Sequence, residues 1–143
     1  MEMQFSCKSS YFLTHILIRE SSDQTLKKQL IANRPASGRG EVLTDLIREK
    51  TKAEAEYICW DHTLAIPQEV DILVNTTNIG LYPDTDQKPD VDYNTVSPRM
   101  TVCDVIPNHP HTLFLKEAQK RGAKSIDGLG MLVNQAIISF RFW

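Results

Sequence analysis

The chain predicts an open α/β sheet, mostly parallel, with helices flanking it. Two observations carry that expectation: five short apolar runs recur along the chain, and apolar stripes at helical spacing alternate with them. A third fits the same class. Each run is short and apolar enough to lie buried in a parallel sheet, where both faces are covered. Residues 1–28 differ in composition from the rest. Phe12, Leu13, Ile16 and Leu17 have helical spacing and predict a helix, followed by a polar stretch ending in Lys27 and Lys28. From residue 29 the pattern becomes regular, so the chain divides into an atypical segment at 1–28 and an α/β domain at 29–143. A strand is expected at 30–32, then a turn through Pro35 and Gly38, then a helix striped by Val42, Leu43, Leu46 and Ile47. Further strands are expected at 55–59, 72–75, 101–105 and 124–126, with helices at 112–121 and 131–142. Met131, Leu132, Ala136, Ile137 and Phe140 read as a core stripe of the last helix. Residues 81–99 contain Pro83, Pro89 and Pro98 with four aspartates, and read as a surface connection. There is no internal repeat or low-complexity tract.

Composition excludes several classes. With 143 residues, 41% hydrophobic and a formal net charge of -2, the chain is neither disordered nor a basic nucleic-acid binder. Cys7, Cys59 and Cys103 are odd in number and widely separated, without the paired spacing of a zinc site or redox dithiol, which points to a reduced interior. No apolar stretch approaches the ~20 residues of a membrane span, and residues 11–18 lack a cleavage pattern behind them, so a cytoplasmic setting is expected.

Three segments carry chemistry. Asn33 and Arg34 directly follow a strand, and the planar, permanently charged fork of an arginine pairs bidentately with phosphate oxygens; Arg39 lies a few residues on. DILVNTTNIG at 71–80 ends a strand in small polar groups, so Asn75, Thr76 and Thr77 can offer hydroxyl and amide groups beside a tight reversal at Gly80. The third is VCDVIPN at 102–108 followed by DGLGMLVNQ at 127–135. There Gly128 opens a helix with its backbone free to approach a flat ring, and Gln135, two turns on, offers both a donor and an acceptor. His109 and His111, with Pro110 between them and no acidic or cysteine partner in pattern, read as plain loop and not as a metal pair.

Together these segments resemble the carboxyl-terminal, NADP-binding half of the shikimate dehydrogenase family, over about residues 30–143. The resemblance implies a Rossmann-like sheet, NADP as cofactor, and interconversion of 3-dehydroshikimate and shikimate in aromatic amino-acid biosynthesis. The quinate dehydrogenases are equally compatible. Carried over residue by residue, it implies that Asn33, Arg34 and Arg39 receive the adenosine 2′-phosphate. Asn75, Thr76 and Thr77 line the cofactor crevice, Val105 packs near the nicotinamide and the Gly128 carbonyl meets its carboxamide. Gln135 hydrogen-bonds a hydroxyl of a small-molecule substrate of the shikimate or quinate class. The chain departs from the family pattern at Pro35, Asn78 and Pro107.

Two parts of that family are missing. A dinucleotide fold places a glycine-rich turn after its first strand so that backbone can approach the pyrophosphate, yet no glycine precedes Gly38; the turn would fall near residues 8–11, which read KSSY. The usual first strand and glycine-rich loop are therefore expected to be lacking, and NADP binding to be weak or lost. Nothing in residues 1–28 resembles the family's amino-terminal domain, which supplies the substrate pocket and a lysine–aspartate pair, so no catalytic residue is nominated. Activity is expected only with a complementing amino-terminal domain, and a homo-oligomer is a further option. A rival expectation is a noncatalytic remnant or nucleotide-binding and interaction module, in which residues 11–18 cover the sheet edge left by the lost strand. In a third, the first 28 residues are not a selected sequence.

Overall fold

The computed structural model describes residues 15–19, 28–33, 38–51, 53–107 and 109–142. In chain order the elements are β1 (His15–Arg19), β2 (Lys28–Asn33), α1 (Arg39–Lys50), β3 (Glu54–Cys59), β4 (Leu64–Ala65) and β5 (Ile72–Asn75). Then come β6 (Val91–Asp92), β7 (Thr101–Asp104), α2 (Leu113–Lys120), β8 (Lys124–Ile126) and α3 (Leu129–Phe140). Six strands form one sheet in the order β3-β2-β1-β5-β7-β8, and β4 pairs with β6 in a separate two-stranded ladder. The five strands expected from the sequence are all present.

The order of the large sheet is that of a doubly wound dinucleotide fold, with one strand reversed. β2 is parallel to β3, β5 to β7 and β7 to β8, whereas β1 runs antiparallel to both its neighbours. The usual parallel first strand is thus lacking, and its slot is filled: His15 pairs with Ala32 on one side and Asn75 on the other. This corrects the helix expected over residues 12–17. Of residues 11–18, residues 15–18 fill the vacant slot as strand, while 11–14 lie outside the described residues. The physical reason is tertiary. A short run such as HILIR, apolar only at its three central residues, is ambiguous in period, and two flanking strands with unpaired backbone groups supply more hydrogen bonds than a lone helical turn.

The core lies between the sheet and α2. Leu73 and Val102, central residues of β5 and β7, are fully buried, and Phe114, Leu115 and Ala118 of α2 pack over them. The connection at 81–99 does more than cross the surface. Val91, Tyr93 and Val96 are buried in the same cluster, the Tyr93 hydroxyl donates to the Pro89 carbonyl at 2.9 Å, and its ring meets Phe114 edge-on. On α1, the buried residues are Gly40 and Thr44, one turn apart, while Val42 and Leu46 of the expected stripe are exposed. Small residues let the helix approach the sheet, where the Arg48 Nε donates to the Ala55 carbonyl at 2.9 Å.

α3 departs furthest from expectation. No residue of it is buried, so the stripe of Met131, Leu132, Ile137 and Phe140 is not core: their exposures run from 42% to 82%. The spacing was right for a helix, but apolar residues occur on all its faces, and burial depends on what packs against them. No helix among the described residues is long and apolar enough to cross a membrane.

Candidate functional site

The shared direction of β2, β3, β5, β7 and β8 brings their carboxyl ends to one edge of the sheet. The register aligns Asn33 with Cys59 and Asn75 with Asp104, with Ile126 one step behind through its pairing with Cys103. Ligands of open α/β sheets bind at this edge, where the order of connection reverses between the central strands. Here that point falls at the end of β5, beside β1.

The edge is stitched together by a buried carboxylate. Asp104, 3% exposed at the end of β7, accepts hydrogen bonds from Asn75 Nδ2 at 3.1 Å, the Ile106 amide at 3.2 Å and Thr112 Oγ1 at 2.7 Å. Burial pushes the Asp104 carboxyl above the ordinary carboxylate range, and these donors partly offset that. Asn75 is fully buried; its Oδ1 accepts from the Thr77 amide at 3.0 Å and its carbonyl from the Val105 amide at 3.1 Å. Thr77 is buried too, and its hydroxyl accepts from the Ile79 amide at 3.1 Å. These contacts lead the chain into the reversal at Gly80, which has φ 93 and sits so close to the Gln87 carbonyl that a β-carbon would lie 3.1 Å from it. Thr112 also caps α2, accepting from the Leu115 amide. One carboxylate therefore ties together the ends of β5 and β7, the loop after β7 and the start of α2.

The first turn of α3 rests on that loop. A β-carbon on Gly128 would lie 2.6 Å from both the carbonyl carbon and oxygen of Val105 and 2.7 Å from the Ile106 oxygen, so only glycine fits. The glycine is needed for this backbone contact and not for freedom of φ, which is an ordinary -79°. Asp127 Oδ1 accepts from the Leu129 amide at 2.9 Å and anchors the helix start.

The residues singled out from the sequence fall into three groups. Asn75, Thr76, Thr77, Val105 and Gly128 gather at the ends of β5 and β7. Asn75 and Thr77 turn their polar groups inward to each other and to Asp104, whereas the Thr76 hydroxyl is buried with no hydrogen-bond partner. Asn33 ends β2, and Arg39 is the exposed first residue of α1, on the other side of β1; Arg34 lies outside the described residues. With strands about 4.8 Å apart, the ends of β2 and β5 are separated by roughly 10 Å across β1. Gln135 is exposed, two turns along α3, and is not drawn into the cluster. Sequence reasoning missed the roles of Asp104 and Thr112. Thr112 carried a signal, a threonine directly before a helical stripe, whereas nothing local reveals that Asp104 is buried. Among the described residues no group of His, Cys, Asp or Glu could hold a metal ion.

An open, mainly parallel sheet in this strand order, with polar groups at the carboxyl ends of its central strands, defines a Rossmann-like α/β domain of the doubly wound class. No protein-family profile matches the chain. Relatives and solved structures do. It is 41% identical over 114 residues to the shikimate dehydrogenase (NADP(+)) of Caldanaerobacter subterraneus subsp. tengcongensis, covering 80% of this chain and 40% of that protein. A shikimate dehydrogenase structure in complex with NADP+ superposes with a TM-score of 0.69 at 38% identity, over 80% of this chain and 40% of the other. The ligand-free 5-ketofructose reductase of a Gluconobacter strain matches with a TM-score of 0.75 at 40% identity, over 84% and 43%. The curated relatives of 30% identity or more that it matches are shikimate dehydrogenases, and the chain is similar to the carboxyl-terminal half of that family. It spans about 40% of the length of the curated relatives it matches.

Proposed function

We propose that this chain is the dinucleotide-binding half of an NADP-dependent oxidoreductase that interconverts 3-dehydroshikimate and shikimate in the cytoplasm, and that turnover requires a substrate pocket and proton-handling groups supplied from outside these 143 residues. The observation that carries the reading is the seating of Gly128 on the Val105–Ile106 backbone at the carboxyl edge. The segment 127–135, one of the three that carry the resemblance in the sequence, thereby meets the ends of β5 and β7. In this reading Asn33, Arg34 and Arg39 take the adenosine 2′-phosphate, Thr76 faces the crevice from a wall that the buried Asn75 and Thr77 brace from within, Val105 and Gly128 flank the nicotinamide, and Gln135 contacts a substrate hydroxyl.

The described residues fit the nicotinamide end of such a cofactor better than its middle. The buried Thr76 hydroxyl without a partner is a group that a ligand at this edge would satisfy. The pyrophosphate lacks its cradle. A dinucleotide fold meets that group with the turn and helix amino terminus that follow the first strand, and here β1 brings its amino end, His15, to the ligand edge while its carboxyl end points away. Weak binding follows. The same observation favours a second reading, a noncatalytic remnant or nucleotide-binding module that keeps the fold. Quinate, a polyhydroxylated carboxylic acid of the same class as shikimate, fits the same site chemistry.

Calorimetric titration with NADP⁺ of wild type and Arg34→Ala tests the first reading, followed by shikimate oxidation with and without a separately expressed amino-terminal part of a relative. Saturable binding lost in Arg34→Ala, and activity that appears on mixing, are expected. Absence of binding in the wild type, or binding indifferent to Arg34→Ala, leaves the noncatalytic reading.

A further inference from the structure

We infer that α3 is a self-association surface, and that two copies of this chain pair through it as antiparallel helices. The helix is unlike the rest of the molecule. At 24% charged residues overall a twelve-residue helix would carry about three, yet α3 carries none. No residue of it is buried. Leu129, Met131, Leu132, Val133, Ile137, Ile138 and Phe140 are all exposed by 42% or more, and Phe142 just beyond by 86%. At roughly 150 Å² per large side chain, these leave on the order of 650 Å² of apolar surface, more than the largest patch on most monomers.

One face of α3 is complementary to itself. Gly130, Val133, Ile137 and Phe140 follow the three-four spacing of a helix-pairing seam, with Leu129 and Ala136 beside it. If the helix is laid antiparallel on a copy of itself, centred at residue 135, Gly130 falls opposite Phe140 and Val133 opposite Ile137. The largest and most exposed side chain of the helix, Phe140 at 82%, then meets the position with the most room, since a β-carbon on Gly130 would have nothing within 4 Å. No charge is buried in the pairing. Because the contact is isologous, it closes as a dimer and does not propagate. The seam and its flanks take roughly half or more of the exposed area, below the ~800 Å² per partner of a standard interface, so dissociation in the micromolar range is expected. The inference is independent of the proposed oxidoreductase function and leaves Gln135 outside the seam.

Sedimentation velocity of the full chain from about 5 to about 200 μM, a range chosen to bracket a weak interface, is the test. A reversible monomer–dimer equilibrium is expected. Ile137→Glu and Val133→Glu should each weaken it by about 30-fold or more, as central interface positions do. Neither side chain is buried in the monomer, so the circular dichroism of both variants should match wild type. Ile138→Glu, about 120° round the helix from the seam, should leave the equilibrium unchanged. A chain that stays monomeric throughout would overturn the inference. So would open-ended aggregates, equal disruption by Ile138→Glu, or a monomer that instead takes up the amino-terminal part of a relative through Val133 and Ile137.

Discussion

Two glycines two residues apart at the start of α3 should respond to alanine with opposite signs. At Gly128 the added β-carbon would sit 2.6 Å from the Val105 carbonyl group and 2.7 Å from the Ile106 oxygen. Carbon contacts normally settle at about 3.5–4.0 Å, so α3 and the loop must separate by roughly 1 Å. The obstructing atoms are backbone and cannot rotate away. Forced overpacking of this kind costs about 1–3 kcal/mol. Because no residue of α3 is buried, the rest of the helix can follow the shift, which holds the cost of Gly128→Ala near 2 kcal/mol. At Gly130 the β-carbon enters open space, and replacing a helical glycine by alanine stabilises by a few tenths to about 1 kcal/mol. Urea unfolding followed by far-ultraviolet circular dichroism and by fluorescence of the buried Trp60 reads both. With a slope of about 2 kcal/mol per molar, Gly128→Ala should lower the midpoint by about 1 M and Gly130→Ala should raise it slightly. If Gly128→Ala unfolds with the wild type, or both variants shift alike, α3 does not rest on the Val105 loop and the seating of residues 127–135 at the ligand edge is refuted.

Further predictions concern the carboxylate at the same edge. Asp104→Ala leaves three buried donors, from Asn75, Ile106 and Thr112, without their acceptor, and should cost about 3 kcal/mol in the same urea experiment. Asp104→Asn keeps one acceptor oxygen and probes charge: burial raises the folded-state pKa of Asp104 above its unfolded value, so its contribution is full below the ordinary carboxylate range and is lost as pH rises through the folded value. The stability advantage of wild type over Asp104→Asn should therefore shrink as pH is raised from about 4 to about 7, and an advantage that grows would contradict the assigned burial. Thr112→Ala removes both the helix cap and a donor to Asp104 and should cost about 2 kcal/mol, with Thr112→Ser recovering most of it.

The sequence by itself determined most of the parallel sheet. Residues 72–75 and 124–126 are strands with the expected bounds, and α2 lies within its expected range with Thr112 as its cap. These elements are legible because β-branched runs, helix caps and the glycine at 80 express local preferences that the packed structure reinforces. Motif similarity likewise located the ends of β5 and β7 and the Gly128 segment before any contact was known. Three matters were decided only by tertiary structure. The run at 15–19 is equally readable as helix or strand, and it became an antiparallel strand because two neighbouring strands had backbone groups to pair. Asp104 is an ordinary strand residue in sequence and a buried hub in space, since its three donors come from residues 75, 106 and 112. The spacing in α3 predicted a helix correctly and its burial wrongly: periodicity records which residues share a face, while burial requires another surface to cover that face, and none of the described residues does so.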